Sequence, residues 1–344
     1  MTLTGVFFMV VPFLFVLAAN PDGKSEDVPP IYLFSMALGM FIFQTLDNMD
    51  GRQARRTKSS NALGEFFDHG CDTISDACMT LSFVSSLRIG TNLEMFFLMG
   101  LISPFPDYCF FWRAHWTGKY VFGDMDISEI QWIIMTVLCL SGITDKTGAI
   151  WTDVSLYGYL NLKQIFIGAY FAFLCFYLGD VWWDAVKIGL FNAKTDKEIS
   201  QEARNNVLAP TKPLMIMMSM AVASRYLSGG IFELYPVGFF VVYSLVVSKL
   251  SCRLLIANMT KSKMATFDSS MFSFLFLFLS NDYFKGSCFY LAPGSALFVA
   301  GCFAMFDFCK YAINICTQLA DFLGVYCLTL KKSPAGKENG LKTN

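Results

Sequence analysis

Between Asp47 and Asp72 the chain reads DNMDGRQARRTKSSNALGEFFDHGCD, a polar stretch flanked by apolar runs. Asp47 and Asp50 are three positions apart, and Asp68 and Asp72 are four apart. At helix ends, each pair projects from one helical face. An acidic pair at a helix end more often caps the helix or faces solvent. Four aspartates at this spacing beside a membrane boundary cost too much desolvation to serve only that purpose. They ask for one or two divalent cations and an anionic substrate that bridges them. Gly51, directly after Asp50, lets backbone approach a phosphate, and Arg55 can bind a diphosphate in bidentate fashion. Gly64 leaves room for a ligand against the next helix. His69, adjacent to Asp68, is the candidate proton acceptor, with Glu65 one turn earlier to orient its ring. Arg56 and Lys58 serve equally well as topology signals, and His115 has no expected chemical role.

The elements that must hold these residues lie in a membrane. Of 344 residues, 55% are hydrophobic and 15% charged, with a mean hydropathy of +0.48. Soluble domains carry roughly a quarter charged residues. The fold class is therefore all-α, a polytopic integral membrane protein with about ten transmembrane helices. Expected spans are 3–19, 31–46, 70–89, 93–112, 130–143, 165–183, 213–227, 234–256, 267–284 and 288–309. The polar signature is read as a loop after the second span, and Pro104 and Pro106 are expected to break the fourth. The apolar stretch on to Leu330 extends the last helix or adds an interfacial one. The eleven cysteines occur without a CxxC pair, so neither a zinc site nor a disulfide framework is expected. Arg52, Arg55, Arg56 and Lys58 share one side with Arg113, Lys119, Arg253, Lys261 and Lys263. Lys24, Arg88, Lys146, Lys163 and Lys285 fall on the other side. By the positive-inside rule the aspartates face the cytosol.

The signature residues resemble the CDP-alcohol phosphotransferase motif, matching it at Asp47, Asp50, Gly51, Ala54, Arg55, Gly64, Asp68 and Asp72. The flanking words GRQARRTKSS and LGEFFDHGCD look like the eukaryotic choline and ethanolamine phosphotransferase branch. So do SRYLSGGIFELYP from Ser224 and CRLLIANMTK from Cys252. The resemblance implies transfer of phosphoethanolamine or phosphocholine from CDP-ethanolamine or CDP-choline to diacylglycerol, with release of CMP. It implies two Mg²⁺ or Mn²⁺ ions on Asp47, Asp50, Asp68 and Asp72. It also implies a CDP pocket at Gly51, Ala54, Arg55 and Gly64, and His69 as base supported by Glu65. Membrane lipid is the surrounding partner, in the endoplasmic reticulum or Golgi, and no nucleic acid is expected. Residues 1–183 are read as the catalytic helices, 184–212 as a cytosolic linker, 213–330 as C-terminal transmembrane helices, and 331–344 as a cytosolic tail. The C-terminal helices are expected to supply a homodimer contact or lipid access, and Asp126 to Ser128 tilts the head-group towards ethanolamine.

Two departures from the family pattern carry alternatives. The chain starts at Met1-Thr2-Leu3-Thr4-Gly5, where relatives carry a longer leader with a nucleotide-contacting Asn. Arg113 stands in the WRAHWTG loop where an acidic residue supports the histidine in relatives, and a cation there would lower the basicity of His69. The alternatives are a catalytically impaired paralogue that binds lipid or nucleotide, or a transferase with another acceptor such as inositol.

Overall fold

The computed structural model describes residues 1–23, 28–90, 92–121, 127–143, 149–156, 158–187, 207–227, 230–280 and 290–327. Thirteen helices are described: α1 Thr2–Ala19, α2 Pro30–Arg56, α3 Ala62–Ser86, α4 Leu93–Ile102, α5 Phe105–Thr117, α6 Ile127–Ile143 and α7 Ala149–Thr152. They continue as α8 Leu162–Val186, α9 Thr211–Leu227, α10 Ile231–Leu234, α11 Pro236–Thr260, α12 Phe272–Leu279 and α13 Pro293–Leu323. A 3₁₀ turn, Ser269–Met271, precedes α12. One short antiparallel pair, Ser155–Leu156 with Leu160–Asn161, lies before α8. The protein is an all-α membrane protein, and six helical stretches are long and apolar enough to cross a bilayer: Thr2–Ala19, Pro30–Arg56, Leu93–Thr117, Leu162–Val186, Pro236–Thr260 and Pro293–Leu323. A helix occupies each of the ten expected runs, but several are shorter or more polar than a simple crossing requires.

Local chemistry sets the helix ends. Proline occupies the first turn of α2, α11 and α13, where its missing N–H leaves no intrahelical bond unmade. Asn61 caps α3 by accepting from the Gly64 N–H, and Asn161 and Gln164 form a reciprocal capping box on α8. The expected proline break is present, because α4 ends at Ile102 and α5 begins at Phe105 behind Pro104. Two expectations change. The signature is not a loop: α2 continues through Asp47 and Asp50 to Arg56, and α3 begins at Ala62, well before position 70. His115 is in the last turn of α5, its Nδ1–H donating to Asn258 Oδ1 at 2.6 Å. Of the two readings of the stretch after Cys309, the helix takes the extension: it runs on to Leu323 and stops at Gly324, whose φ of 63° takes the left-handed conformation glycine allows. The linker 184–212 falls largely on residues 188–206, outside the described residues, as do Asp126 and the tail 331–344.

The bundle is built around α3 and α11. Helix α11 is buried along most of its length and packs on α3, α5 and α13, while α2 packs between α1 and α6. Polar ties cross this centre: Ser248 Oγ donates to the Thr73 carbonyl at 2.9 Å, and Tyr243 Oη to that of Leu101 at 2.9 Å. Asn258 Nδ2 donates to the Phe111 carbonyl at 2.8 Å. Lys249, nearly fully buried, is neutralised by Asp307 at 2.5 Å and Asp268 at 2.9 Å, and Arg253 pairs with Asp268 at 2.6 Å. At the far end of α3, Arg225 pairs with Glu94 at 2.6 Å and with Glu233, while its guanidinium lies over the Phe232 ring.

Helix α1 is seated on α2 through a close approach at Gly39. A Cβ built there would lie 2.0 Å from the carbonyl oxygen of Phe8, so any side chain must push the two backbones apart. Gly39→Ala is expected to destabilise the protein by about 1–3 kcal/mol, the range for overpacked interiors. A thermal unfolding midpoint in detergent equal to that of the unaltered protein would contradict this packing.

Candidate active site

The last three turns of α2 and the first three of α3 run side by side across the short turn 57–61 and face one cavity of about 380 Å³. Asp47, Asn48, Asp50, Gly51, Arg52 and Arg55 line it from α2, and Asp68, His69, Asp72 and Met79 from α3. Helix α5 adds Asp107, Phe110 and Phe111, while Ser128 and Gln131 come from α6. One carboxylate oxygen each from Asp47, Asp50 and Asp68 lies within 4.8 Å of the others. Asp72 lines the same cavity outside that tight trio. The i, i+3 and i, i+4 spacings thus do what helical geometry requires of them.

The carboxylates fit a divalent cation on two grounds. Oxygen donors alone, gathered from three residues, suit a hard ion such as Mg²⁺ or Mn²⁺. In addition, Asp68 Oδ1 is buried with no hydrogen-bond partner, an orphaned charged oxygen of the kind a cation satisfies. Asp50 is held from the other side by Thr2, whose hydroxyl donates to its Oδ2 at 2.5 Å. Nothing in the spacing of the signature pointed to Thr2, because its role depends on how α1 lies along α2.

His69 Nδ1 is 3.3 Å from Asp72 Oδ2, which favours the tautomer with its proton on Nδ1 and leaves Nε2 as the accepting nitrogen. The ring is walled by Phe111 at 5.4 Å, Tyr120 at 5.6 Å and Phe110 at 6.3 Å between centroids. Glu65 does not hold the ring. Its carboxylate accepts the Tyr120 hydroxyl at 2.6 Å, so it fixes one wall of the histidine's pocket instead. The geometric reason is position: from 65 to 69 is one helical turn, but Asp72 lies on the ring's other side and is the residue within reach. Behind the Glu65–Tyr120 pair opens a second, wider cleft of about 960 Å³, lined by His115, Trp116, Lys119, Lys261 and Lys263 among others.

Among the remaining expected ligand contacts, Gly51 and Arg55 line the aspartate cavity and Ala54 and Gly64 do not. A Cβ at Gly51 would meet only the Arg55 guanidinium at 3.8 Å, and one at Gly64 only Asn61 Oδ1 at 3.8 Å, so both glycines are backed by open space. Arg113 is turned away from His69. Its guanidinium pairs with Asp180 at 3.0 Å and with Asp184, both on α8, and its charge is spent there. Gln44, Ser128, Gln131 and Asp107 belong to the cavity but stand outside the signature. Gln44 Nε2 donates to the Ser128 carbonyl at 3.2 Å, which ties α6 to α2 at the rim.

Residues 1–114 match the family model described as CDP-alcohol phosphatidyltransferase. Cholinephosphotransferase 1 of Homo sapiens is 30% identical over 323 residues, covering 94% of this chain and 77% of that protein. Cholinephosphotransferase 1 of Danio rerio is 28% identical over 343 residues, covering 98% of this chain and 85% of that protein. The chain belongs to the CDP-alcohol phosphatidyltransferase family, in its choline/ethanolamine phosphotransferase branch.

If the orphaned Asp68 oxygen is a cation ligand, Asp68→Asn should weaken Mn²⁺ binding by at least about tenfold, because it removes one charge and one donor from the trio. The free-Mn²⁺ electron paramagnetic resonance signal during titration reads this directly. Equal titration curves for variant and parent would remove Asp68 from the ligand set.

Proposed function

We propose that this protein transfers phosphocholine or phosphoethanolamine from the CDP-alcohol to diacylglycerol, yielding phosphatidylcholine or phosphatidylethanolamine and CMP. The observation that carries the reading is the convergence of three carboxylates on one point, with the His69–Asp72 pair in the same cavity. A divalent ion pair held by Asp47, Asp50, Asp68 and Asp72 would neutralise the diphosphate and stabilise the departing phosphate. Arg55 and Arg52 lie where the diphosphate's remaining charge needs donors, and Gly51 leaves backbone space beside them.

In this reading the free hydroxyl of diacylglycerol attacks the β-phosphorus as its proton passes to His69 Nε2. The bond from that phosphorus to the oxygen of the α-phosphate breaks, and CMP carries the electron pair away. Asp72 keeps the imidazole in the accepting tautomer and stabilises the imidazolium that results. Phe110, Phe111 and the Glu65-anchored Tyr120 cover one side of the ring, which reduces the water that competes with the lipid hydroxyl for the same phosphorus. The site opens to the cytosol of an endoplasmic reticulum or Golgi membrane, supported by the positive charge clustered beside it at Arg52, Arg55, Arg56 and Lys58. The C-terminal helices serve lipid access or a contact with a second copy.

Two measurements test this. Purified protein given Mg²⁺, diacylglycerol and either CDP-alcohol should release CMP, and His69→Ala should lower kcat by roughly 10²–10⁴-fold, the usual worth of a positioned base. Turnover unaffected by that change would remove His69 from the chemistry. For orientation, Lys58→Cys should react with a membrane-impermeant maleimide added to sealed microsomes with their cytosolic face outward. Labelling only after the vesicles are opened would place the site on the opposite side.

A further inference from the structure

Asp107 has no part in the motif or in the metal set, yet it lines the aspartate cavity. It is half-buried on α5, lines that cavity together with Asp72 and His69, and makes no hydrogen bond or ion pair among the described residues. Asp76, one turn beyond Asp72 on α3, is close enough to interact with Asp107 electrostatically. A carboxylate held beside other carboxylates, without an arginine or lysine, is relieved by a proton or by a cation, and the open cavity gives a cation access to it.

The surroundings state which kind of cation. Asp107, Phe110 and Phe111 fall on one face of α5 at i, i+3 and i+4, and Phe43 of α2 lines the same cavity. Carboxylate and aromatic rings together suit an alkylated or primary ammonium, which a hard divalent ion does not prefer. Position agrees. Asp107 lies ten residues before Thr117, so helical rise puts it about 15 Å deeper than the end of α5. The phosphate-attracting Arg52 and Arg55 occupy the last two turns of α2, at the other end of the cavity. A phosphate would be repelled from Asp107 and drawn to the arginines, which leaves the amino-alcohol end of the substrate for the deeper end.

We propose that Asp107, with Phe110 and Phe111, is the subsite that recognises the positive charge of the amino-alcohol head-group. This rests on the transferase reading above and assigns the residues that make the enzyme select a cationic alcohol over a neutral one of equal size.

The test compares CDP-choline with the CDP ester of 3,3-dimethylbutan-1-ol, in which an uncharged tert-butyl group replaces the trimethylammonium. The full chain in detergent, with diacylglycerol and Mg²⁺, should favour CDP-choline by about tenfold or more in kcat/KM. Asp107→Asn should bring that preference to within about threefold, mainly through KM, and Asp107→Glu should restore part of it. An Asp107→Asn protein that keeps the parent's preference, or that loses both substrates alike, overturns the assignment. Failure of the unaltered protein to turn over either CDP-choline or CDP-ethanolamine is a different result, which removes the transferase reading and this inference with it.

Discussion

Mutual repulsion among carboxylates is the constraint that organises this molecule. Asp47, Asp50 and Asp68 bring oxygens within 4.8 Å of one another at the end of apolar helices, and Asp72 stands beside them. Such a group is unfavourable unless the bundle forces it together and cations relieve it. The rest of the architecture supplies that force. Helix α1, locked onto α2 at Gly39, delivers the Thr2 hydroxyl to Asp50. Helix α11, tied to α3 at Thr73 and to α5 at Phe111, holds the histidine side of the cavity from behind.

The second layer of organisation is a set of charges outside the cavity that are settled locally. Lys249 and Arg253 are matched by Asp268 and Asp307, Arg225 by Glu94 and Glu233, and Arg113 by Asp180 and Asp184. Each cluster pins two or more helices. The Asp47, Asp50 and Asp68 carboxylates in the cavity have no such ion pair among the described residues.

Much of this was legible in the sequence. The helical spacing of Asp47 with Asp50 and of Asp68 with Asp72 placed both pairs on cavity-facing helix faces, and the proline break before Phe105 could be read directly. The boundaries of α2 and α3 could not. Polar residues from Asp47 to Arg56 look like a loop in a hydropathy reading, whereas helix propensity and the paired carboxylate faces keep that segment helical. Partners across the fold were equally invisible: Glu65 on Tyr120 and Arg113 on two α8 aspartates depend on tertiary contacts, not on spacing. Asp107, Gln44 and Gln131 had no motif to announce them. For Asp107 the available signal was a single acidic residue among Phe, Tyr and Trp in a membrane helix.

The 27 residues of α2 carry a consequence for where the reaction happens. At 1.5 Å per residue the helix is about 40 Å long, some 10 Å more than a hydrocarbon core. Counted from Pro30, Asp47 and Asp50 are about 26 and 30 Å along it, level with the boundary between acyl chains and head-groups. The same rod that crosses the bilayer therefore acts as a ruler for the depth of the reacting centre. In a thicker bilayer the acidic group would sink among the acyl chains, and in a thinner one it would rise beyond a shallow lipid hydroxyl. Bilayer thickness, a property its own products help to set, bears on how readily lipid and nucleotide meet.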